Sequence, residues 1–354
     1  MLGRGIDQIL PFPGDPQLYE PCVDDARDYL ILAEAASGPI SRPVDFDHVW
    51  GDALAAWRTA APDARIVNLE TSITTSRTPL PKGINYKMEP RNAPCLTAAG
   101  IDCCTLANNH VLDWGAAGLG ETLETLDRLG IARAGAGRNA AEAATPAVIP
   151  LPGGRRVTVF AFGTESSGIP AEWAATADTP GVNILPDLSQ RTAERLAAAA
   201  AAVRRPGDLI VASIHWGGNW GYGVPDEQRR FAHALIDLGA ADVVHGHSAH
   251  HAKAIEVHAG RPILYGCGDF INDYEGIAGY EGYRGDIAVS YLPRLDQDGR
   301  LISLGLIAFV MRRFALHQAP SEDVRWLRGA LDRESAAAGT RIDVTAGNRL
   351  AVRW

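Results

Sequence analysis

Four of the ten histidines, His245, His247, His250 and His251, fall within seven residues of one another. Imidazole is the commonest protein ligand for zinc-like metals, and several on one short loop can converge on an ion without long-range folding precision. Upstream, residues 238–244 read as a helix end followed by a buried strand. The imidazoles are therefore expected where a strand runs out into a loop, the edge of an open α/β sheet at which ligands bind. Three more polar clusters follow short apolar runs: Asn68-Leu69-Glu70-Thr71-Ser72, Asn108-Asn109-His110 with Asp113 close behind, and His215-Trp216-Gly217. Each alone reads as a turn, a cap or a hydrogen-bonded interior histidine. Four such coincidences at strand ends are harder to dismiss.

A set of imidazole, carboxylate and amide oxygen suits Zn, Mn, Fe or Ni better than Ca or Mg. A carboxylate able to bridge, such as Glu70, flanked by ligands from several strands, would hold two ions roughly 3.5–4 Å apart. Such a pair generates hydroxide near neutral pH and clamps the oxygens of a phosphoryl or acyl group. His110, beside the candidate ligand Asn109, could then protonate a leaving group.

These residues need a frame, and the hydrophobic pattern supplies one. Residues 64–67, 101–106, 156–162 and 208–214 read as short buried strands. Helices are expected over 24–36, 48–59, 190–204 behind Ser189 as N-cap, and 226–238 with Phe231, Leu235 and Leu238 facing the core. Another carries Leu119, Leu123, Leu126 and Leu129 on one face and stops at Gly130. Residues 79–94, with Lys82, Asn85, Tyr86 and Lys87, are too irregular for regular structure and suit a substrate-facing loop. From about 254 the pattern changes to hairpins at 255–258, 263–266, 286–292 and 301–313, then a late helix at 321–338. Alternating strand and helix followed by antiparallel strands favours one α/β domain with two packed sheets.

Hydrophobic residues make up 46% and charged residues 21% of the 354, an ordinary soluble balance with ample core. A formal net charge of −9 argues against sequence-independent nucleic-acid binding. Five cysteines without a CxxC pair are no disulfide framework. No signal peptide is read, and no apolar run approaches the roughly 20 residues that span a bilayer, so the expected location is cytoplasmic. The sequence leaves the oligomeric state open.

Together, Asn68-Leu69-Glu70-Thr71, residues 107–115, His215-Trp216-Gly217, Gly246-His247-Ser248-Ala249-His250 and Tyr265-Gly266-Cys267-Gly268-Asp269-Phe270 resemble the bacterial capsule-synthesis, or poly-γ-glutamate biosynthesis, proteins of CapA type, within the calcineurin-like metallophosphoesterase superfamily. The resemblance runs from Met1 to about residue 315, so the expected division is a 1–315 domain with 316–354 packed on it. It implies a four-layer αββα sandwich, two mixed sheets flanked by helices, with two divalent ions (Mn, Zn or Fe) at the strand ends. Glu70 is then the bridging ligand, Asn109 and His215 ligate one ion, and His247 and His250 join from the last loop. His245 or His251 is a substitute, because the superfamily's Gly-His-x-His spacing is altered here. His110 and Asp113 are the candidate catalytic pair. Arg4, Asn68, Lys82 and Tyr86 are candidate substrate contacts, with Arg284 and Trp220 beside them. The family pattern also places a strand ending in Gly-Asp-Val before the Met-Leu-Gly-Arg with which this sequence opens. A start set too far downstream is the favoured explanation, with Asp7 a poorly spaced stand-in for the missing aspartate.

The function implied is a metal-dependent hydrolase acting on a phosphoester or a related acyl or amide bond in a small molecule, polymer or peptide. The alternatives are a peptide epimerase using the same site, and a non-catalytic component of capsule or poly-γ-glutamate synthesis.

Overall fold

The computed structural model describes residues 1–354 and is a mixed α/β protein with several sheets. Three short parallel strands, Ile66–Asn68, Cys103–Thr105 and Ala132–Ala134, form one sheet. A second sheet has six strands in the order Ile255–His258, Arg261–Leu264, Val243–His247, Leu209–His215, Arg156–Gly163, Ala147–Pro150. Its four middle strands are parallel and both edges antiparallel.

Strand alternation decides what each face of this second sheet carries. Val157, Val159, Ala161, Val211 and Val243 enter a core shared with the three-stranded sheet and with Leu119, Leu123 and Leu126 of the helix Gly115–Leu129. Their neighbours Phe160, Phe162, Ile210, Ala212 and Ile214 face the other way. There they meet Ala193 and Ala200 of the helix Gln190–Val203 and Phe231 and Leu235 of the helix Asp226–Asp237. Residues 213, 215, 245 and 247 share the parity of Val211 and Val243 and so turn toward the three-stranded sheet. A hydrogen bond from Ser213 Oγ to Thr105 Oγ1, 3.2 Å, joins the two sheets there.

The third sheet is antiparallel, in the order Ile287–Leu295, Leu301–Arg312, Arg349–Arg353, Arg341–Thr345, with Ala315–Gln318 also paired to the long strand. Val352 lies opposite Leu304, and Val324, Leu327 and Leu331 of the helix Ser321–Ser335 share a core with Ile255, Leu264 and Leu306. Residues 316–354 are thus woven into the same body as the hairpins before them.

Several elements depart from the sequence expectation. The helix expected over 48–59 breaks into His48–Trp50 and Asp52–Ala60 at Gly51 (φ 43), where a Cβ would collide with the Leu316 carbonyl. Leu238 is 39% exposed: the helix ends at Asp237 and the chain turns through Gly239 (φ 72) before the apolar stripe comes round again. The irregular stretch 79–94 contains a two-residue strand, Lys87–Met88, paired with Ser72–Ile73. No helix is long and apolar enough to cross a membrane.

Candidate metal and acid–base site

Parity and register bring the ligand candidates together. His215 lies opposite His247, and Ser213 opposite His245, in adjacent parallel strands. His215 Nδ1 is 2.7 Å from His247 Nδ1, and its Nε2 is 3.1 Å from Asn109 Oδ1 and 3.8 Å from Glu70 Oε1. Side chains from four strand ends therefore meet at one imidazole. Asn68 Nδ2 donates to Glu70 Oε2 at 2.8 Å, which fixes the carboxylate. Asn68 thus orients a ligand candidate. Asn108, fully buried, donates to Asn68 Oδ1 (3.0 Å) and the Leu69 carbonyl (2.9 Å) and accepts from the His110 amide (3.1 Å), locking two clusters together.

The other three candidate imidazoles stand apart from this meeting point. His245 Nδ1 contacts Ser213 Oγ at 3.0 Å, and the same hydroxyl contacts His247 Nε2 at 2.8 Å. His250 lies on the loop beyond the strand, with Nδ1 3.0 Å from each Asp269 oxygen, and Asn272 Nδ2 steadies that carboxylate at 3.1 Å. His251 is packed among Trp220, Tyr222 and Tyr283, its Nδ1 against the Ala252 carbonyl, away from the His215–His247 pair.

Burial sets the charges. It pushes His215 and His245 down to about 4 and His247 well below the usual histidine value, the last helped by its two neighbouring imidazoles. These rings are neutral at pH 7, the form in which imidazole ligates a metal. Burial would push His250 down too, but Asp269 outweighs it and holds His250 at about 9. Burial raises Glu70, yet His215, His110 and His250 together bring it below its ordinary value, so it is a carboxylate.

The acid–base candidates form a second constellation on the same rim. His110 Nδ1 is 2.7 Å from Asp113 Oδ2, and Lys82 Nζ donates to Asp113 Oδ1 at 2.7 Å and also to the Asn109 carbonyl. The Tyr86 ring stacks on His110 with centroids 3.9 Å apart, while its amide donates to Asp113 Oδ2 at 2.6 Å and its hydroxyl meets Tyr274 Oη at 2.8 Å. The 79–94 stretch is thus a clamp over His110. Lys82 and Tyr86, expected at the substrate, orient the histidine and its aspartate.

Two expectations are corrected. Arg4, expected at the substrate, is 3% exposed and spent internally: Nη2 pairs with Asp273 Oδ1 at 2.5 Å, Nη1 with Glu20 Oε1 at 2.8 Å, and the guanidinium underlies Tyr86 at 4.7 Å. It supports the clamp from below. Asp7 accepts from the amides of Gly14 (3.0 Å) and Glu89 (3.1 Å) and from Asn92 Nδ2 (2.7 Å), so it caps a turn and is no stand-in ligand. Arg284 is paired with Asp286 and Asp323, whereas Trp220 stacks on the exposed Tyr280 (4.1 Å, 2°) next to His250. Sequence reasoning gave no role to Asp269, Ser213, Asn108 or Tyr274. A signal existed for two of them: Asp269 follows Gly266-Cys267-Gly268 just past a strand, and Ser213 shares the parity of His215.

The family model described as bacterial capsule synthesis protein PGA_cap matches residues 1–274. A probable polyglutamine synthesis accessory protein of Mycobacterium tuberculosis is 45% identical over 99% of this chain and 93% of its own length. The PGA biosynthesis protein CapA of Bacillus subtilis is 28% identical over 62% of this chain and 54% of its own. The capsule biosynthesis protein CapA of Bacillus anthracis is likewise 28% identical, over 54% of this chain and 45% of its own.

Proposed function

Because the chain belongs to the bacterial capsule synthesis (PGA_cap) family, we propose that it works on a polymer or peptide in that setting as a metal-dependent hydrolase, cleaving a phosphoester or a related acyl or amide bond. The observation that carries this reading is the convergence of Glu70, Asn109 and His247 on His215 from four separate strand ends. The donor set fits divalent Mn, Zn or Fe: neutral imidazoles, an ionised carboxylate and an amide oxygen, with no thiol. Glu70, Asn109 and His215 Nε2 would hold one ion, while His247, which meets the opposite Nδ1 edge of the His215 ring, and His250, held by Asp269, would turn to join them. Bound there, a metal pair supplies a water acidified to near-neutral pKa and positive charge for an oxyanion.

The chain's own residues supply the rest. Asp113 accepts from His110 Nδ1 and so fixes the ring with Nε2 free to give or take a proton. Lys82 adds positive charge beside that pair, and the Tyr86 ring covers it from water. The core shared by the three- and six-stranded sheets, with helices outside the latter, supports reading the fold as the superfamily's four-layer αββα sandwich.

The test pairs elemental analysis with hydrolysis of bis-p-nitrophenyl phosphate and of a γ-linked glutamate oligopeptide. Expected are bound Mn, Zn or Fe, chelator-sensitive turnover, and, in Glu70→Gln, loss of turnover together with the metal held at Glu70 and His215. A well-folded chain that takes up no metal and cleaves neither substrate refutes the proposal. The accessory role named for the M. tuberculosis relative favours a second reading, a non-catalytic part of polymer synthesis. Polymer output unchanged by Glu70→Gln and His215→Ala together would select it.

A further inference from the structure

A second group of ligand-type side chains lies at the other end of the six-stranded sheet. The helix Asp226–Asp237 presents His233 and Asp237 one turn apart on one face, and the edge strand Ile255–His258 presents Glu256 and His258 two residues apart on one face. Helical i, i+4 spacing and strand i, i+2 spacing are the two ways regular structure aims two ligands at one point. His233 Nε2 is 2.7 Å from Glu256 Oε1, His258 Nε2 is 2.7 Å from Asp237 Oδ1, and the two rings lie parallel, centroids 3.9 Å apart. One ligand atom from each of His233, Glu256 and His258 falls within 4.8 Å of the others. A tetrahedral ion with bonds of about 2.0–2.2 Å holds its donors roughly 3.4 Å apart, so the donors are near enough, and the two rings, parallel here, would tilt toward each other to aim both lone pairs at one point.

The supporting shell is present as well. Arg229 Nη1 (2.6 Å) and Tyr265 Oη (2.8 Å) both donate to Glu256 Oε2, which leaves Oε1 turned toward the imidazoles. Such outer contacts orient a ligating carboxylate. Glu256 is buried, while the His233 and His258 side chains are 28% and 26% exposed, so an ion can enter from solvent. The group is separate from the candidate site above. Asp237 precedes the strand whose far end carries His247, and His258 pairs with Arg261 at the start of its own neighbouring strand.

We infer that His233, Glu256 and His258, with Asp237 as fourth ligand, form a separate site for a borderline divalent transition metal such as Zn²⁺. Two imidazoles with carboxylates and no thiol select that class over Ca²⁺ or Mg²⁺. The ion would staple the helix Asp226–Asp237 to the edge strand.

The test uses the full chain carrying Glu70→Gln and His215→Ala, stripped with chelator and titrated with Zn²⁺ by calorimetry and by thermal unfolding. Expected is one zinc per chain with a rise in Tm. Adding His233→Gln and His258→Gln should weaken binding by at least ~100-fold and abolish the Tm rise. Because that combined variant carries four substitutions, the single His258→Gln change in the otherwise native chain gives a second measurement, with zinc content expected to fall by one equivalent. Zinc binding unaltered by either histidine change, or no zinc taken up by the Glu70→Gln, His215→Ala chain, would overturn the site and leave a histidine–carboxylate clamp only. Neither outcome bears on hydrolysis at Glu70 and His215.

Discussion

Replacing Asp113 separates two jobs that one carboxylate performs. Its Oδ2 accepts from both the Tyr86 amide and His110, whereas Oδ1 takes Lys82 alone. The Tyr86 amide has no alternative but an oxygen at the Oδ2 position, so Asp113→Asn must turn its NH₂ toward Lys82. His110 then keeps its orientation and loses only the charge that would stabilise its protonated form. The Lys82 pair is broken beside a fully buried side chain, but Lys82 is itself 22% exposed and keeps the Asn109 carbonyl. The full cost of orphaning a buried charge, about 3–5 kcal/mol, therefore falls to roughly 2–3 kcal/mol in stability. Asp113→Ala also leaves the Tyr86 amide without an acceptor, adding about 1–3 kcal/mol, and frees the imidazole to rotate. Loss of a positioned general acid costs ~10²–10⁴ in rate, so Asp113→Ala should fall by that factor in kcat/KM on bis-p-nitrophenyl phosphate and Asp113→Asn by distinctly less. Both should retain metal, since neither touches Glu70, Asn109, His215 or His247. Turnover by Asp113→Ala at the parent rate, or loss of metal from both variants, would refute the division of labour.

In a His258→Gln background, which removes the second metal group, His215→Gln should weaken Mn²⁺ binding at least tenfold by titration, since His215 is where Glu70, Asn109 and His247 meet; unchanged affinity would remove it from the ligand set. Burial lifts the Asp7 carboxyl from its ordinary 3.8 to about 6, against hydrogen bonds from Asn92, Glu89 and Gly14. Between those values the folded state holds the proton more tightly than the unfolded chain, so stability falls as pH rises and the full cost applies above about 6. The chain should lose about 2 kcal/mol between about pH 4.5 and pH 7 from this group, and Asp7→Asn should remove that slope in denaturant titrations at each pH. Leu306→Ala, emptying a fully buried position in the third sheet, should cost about 2–5 kcal/mol by denaturant unfolding while leaving metal content unchanged.

Much of the site was legible because strands and their polar ends leave strong local signals. Glu70, Asn109, His215 and His247 each follow an apolar run, and they meet as the spacing suggested. What escaped sequence reasoning depends on partners distant in the chain. Nothing near Arg4 announces that its counter-ion is Asp273, or that a guanidinium near the start of the chain would be buried under Tyr86. Lys82 and Tyr86 read as substrate contacts because a proline-rich loop carries no periodicity; only the fold shows it folded back onto His110. His250 lies close to His247 along the chain, one residue further than the superfamily's spacing, but the acid that claims it, Asp269, comes from another strand's exit. The break at Gly51 was likewise set by a carbonyl from residue 316.

Alternation along Leu209–His215 and Val243–His247 means that the ligand candidates are specified modulo two. Removing one residue from the interior of either strand would carry its imidazole off the face it shares with Val211 and Val243 and through the sheet into the oily layer of Phe160, Phe231 and Leu235. Removing two would restore the sense of the message and shift it by one rung. Insertions inside these two strands are tolerable only in even numbers, a reading frame written in side chains instead of codons.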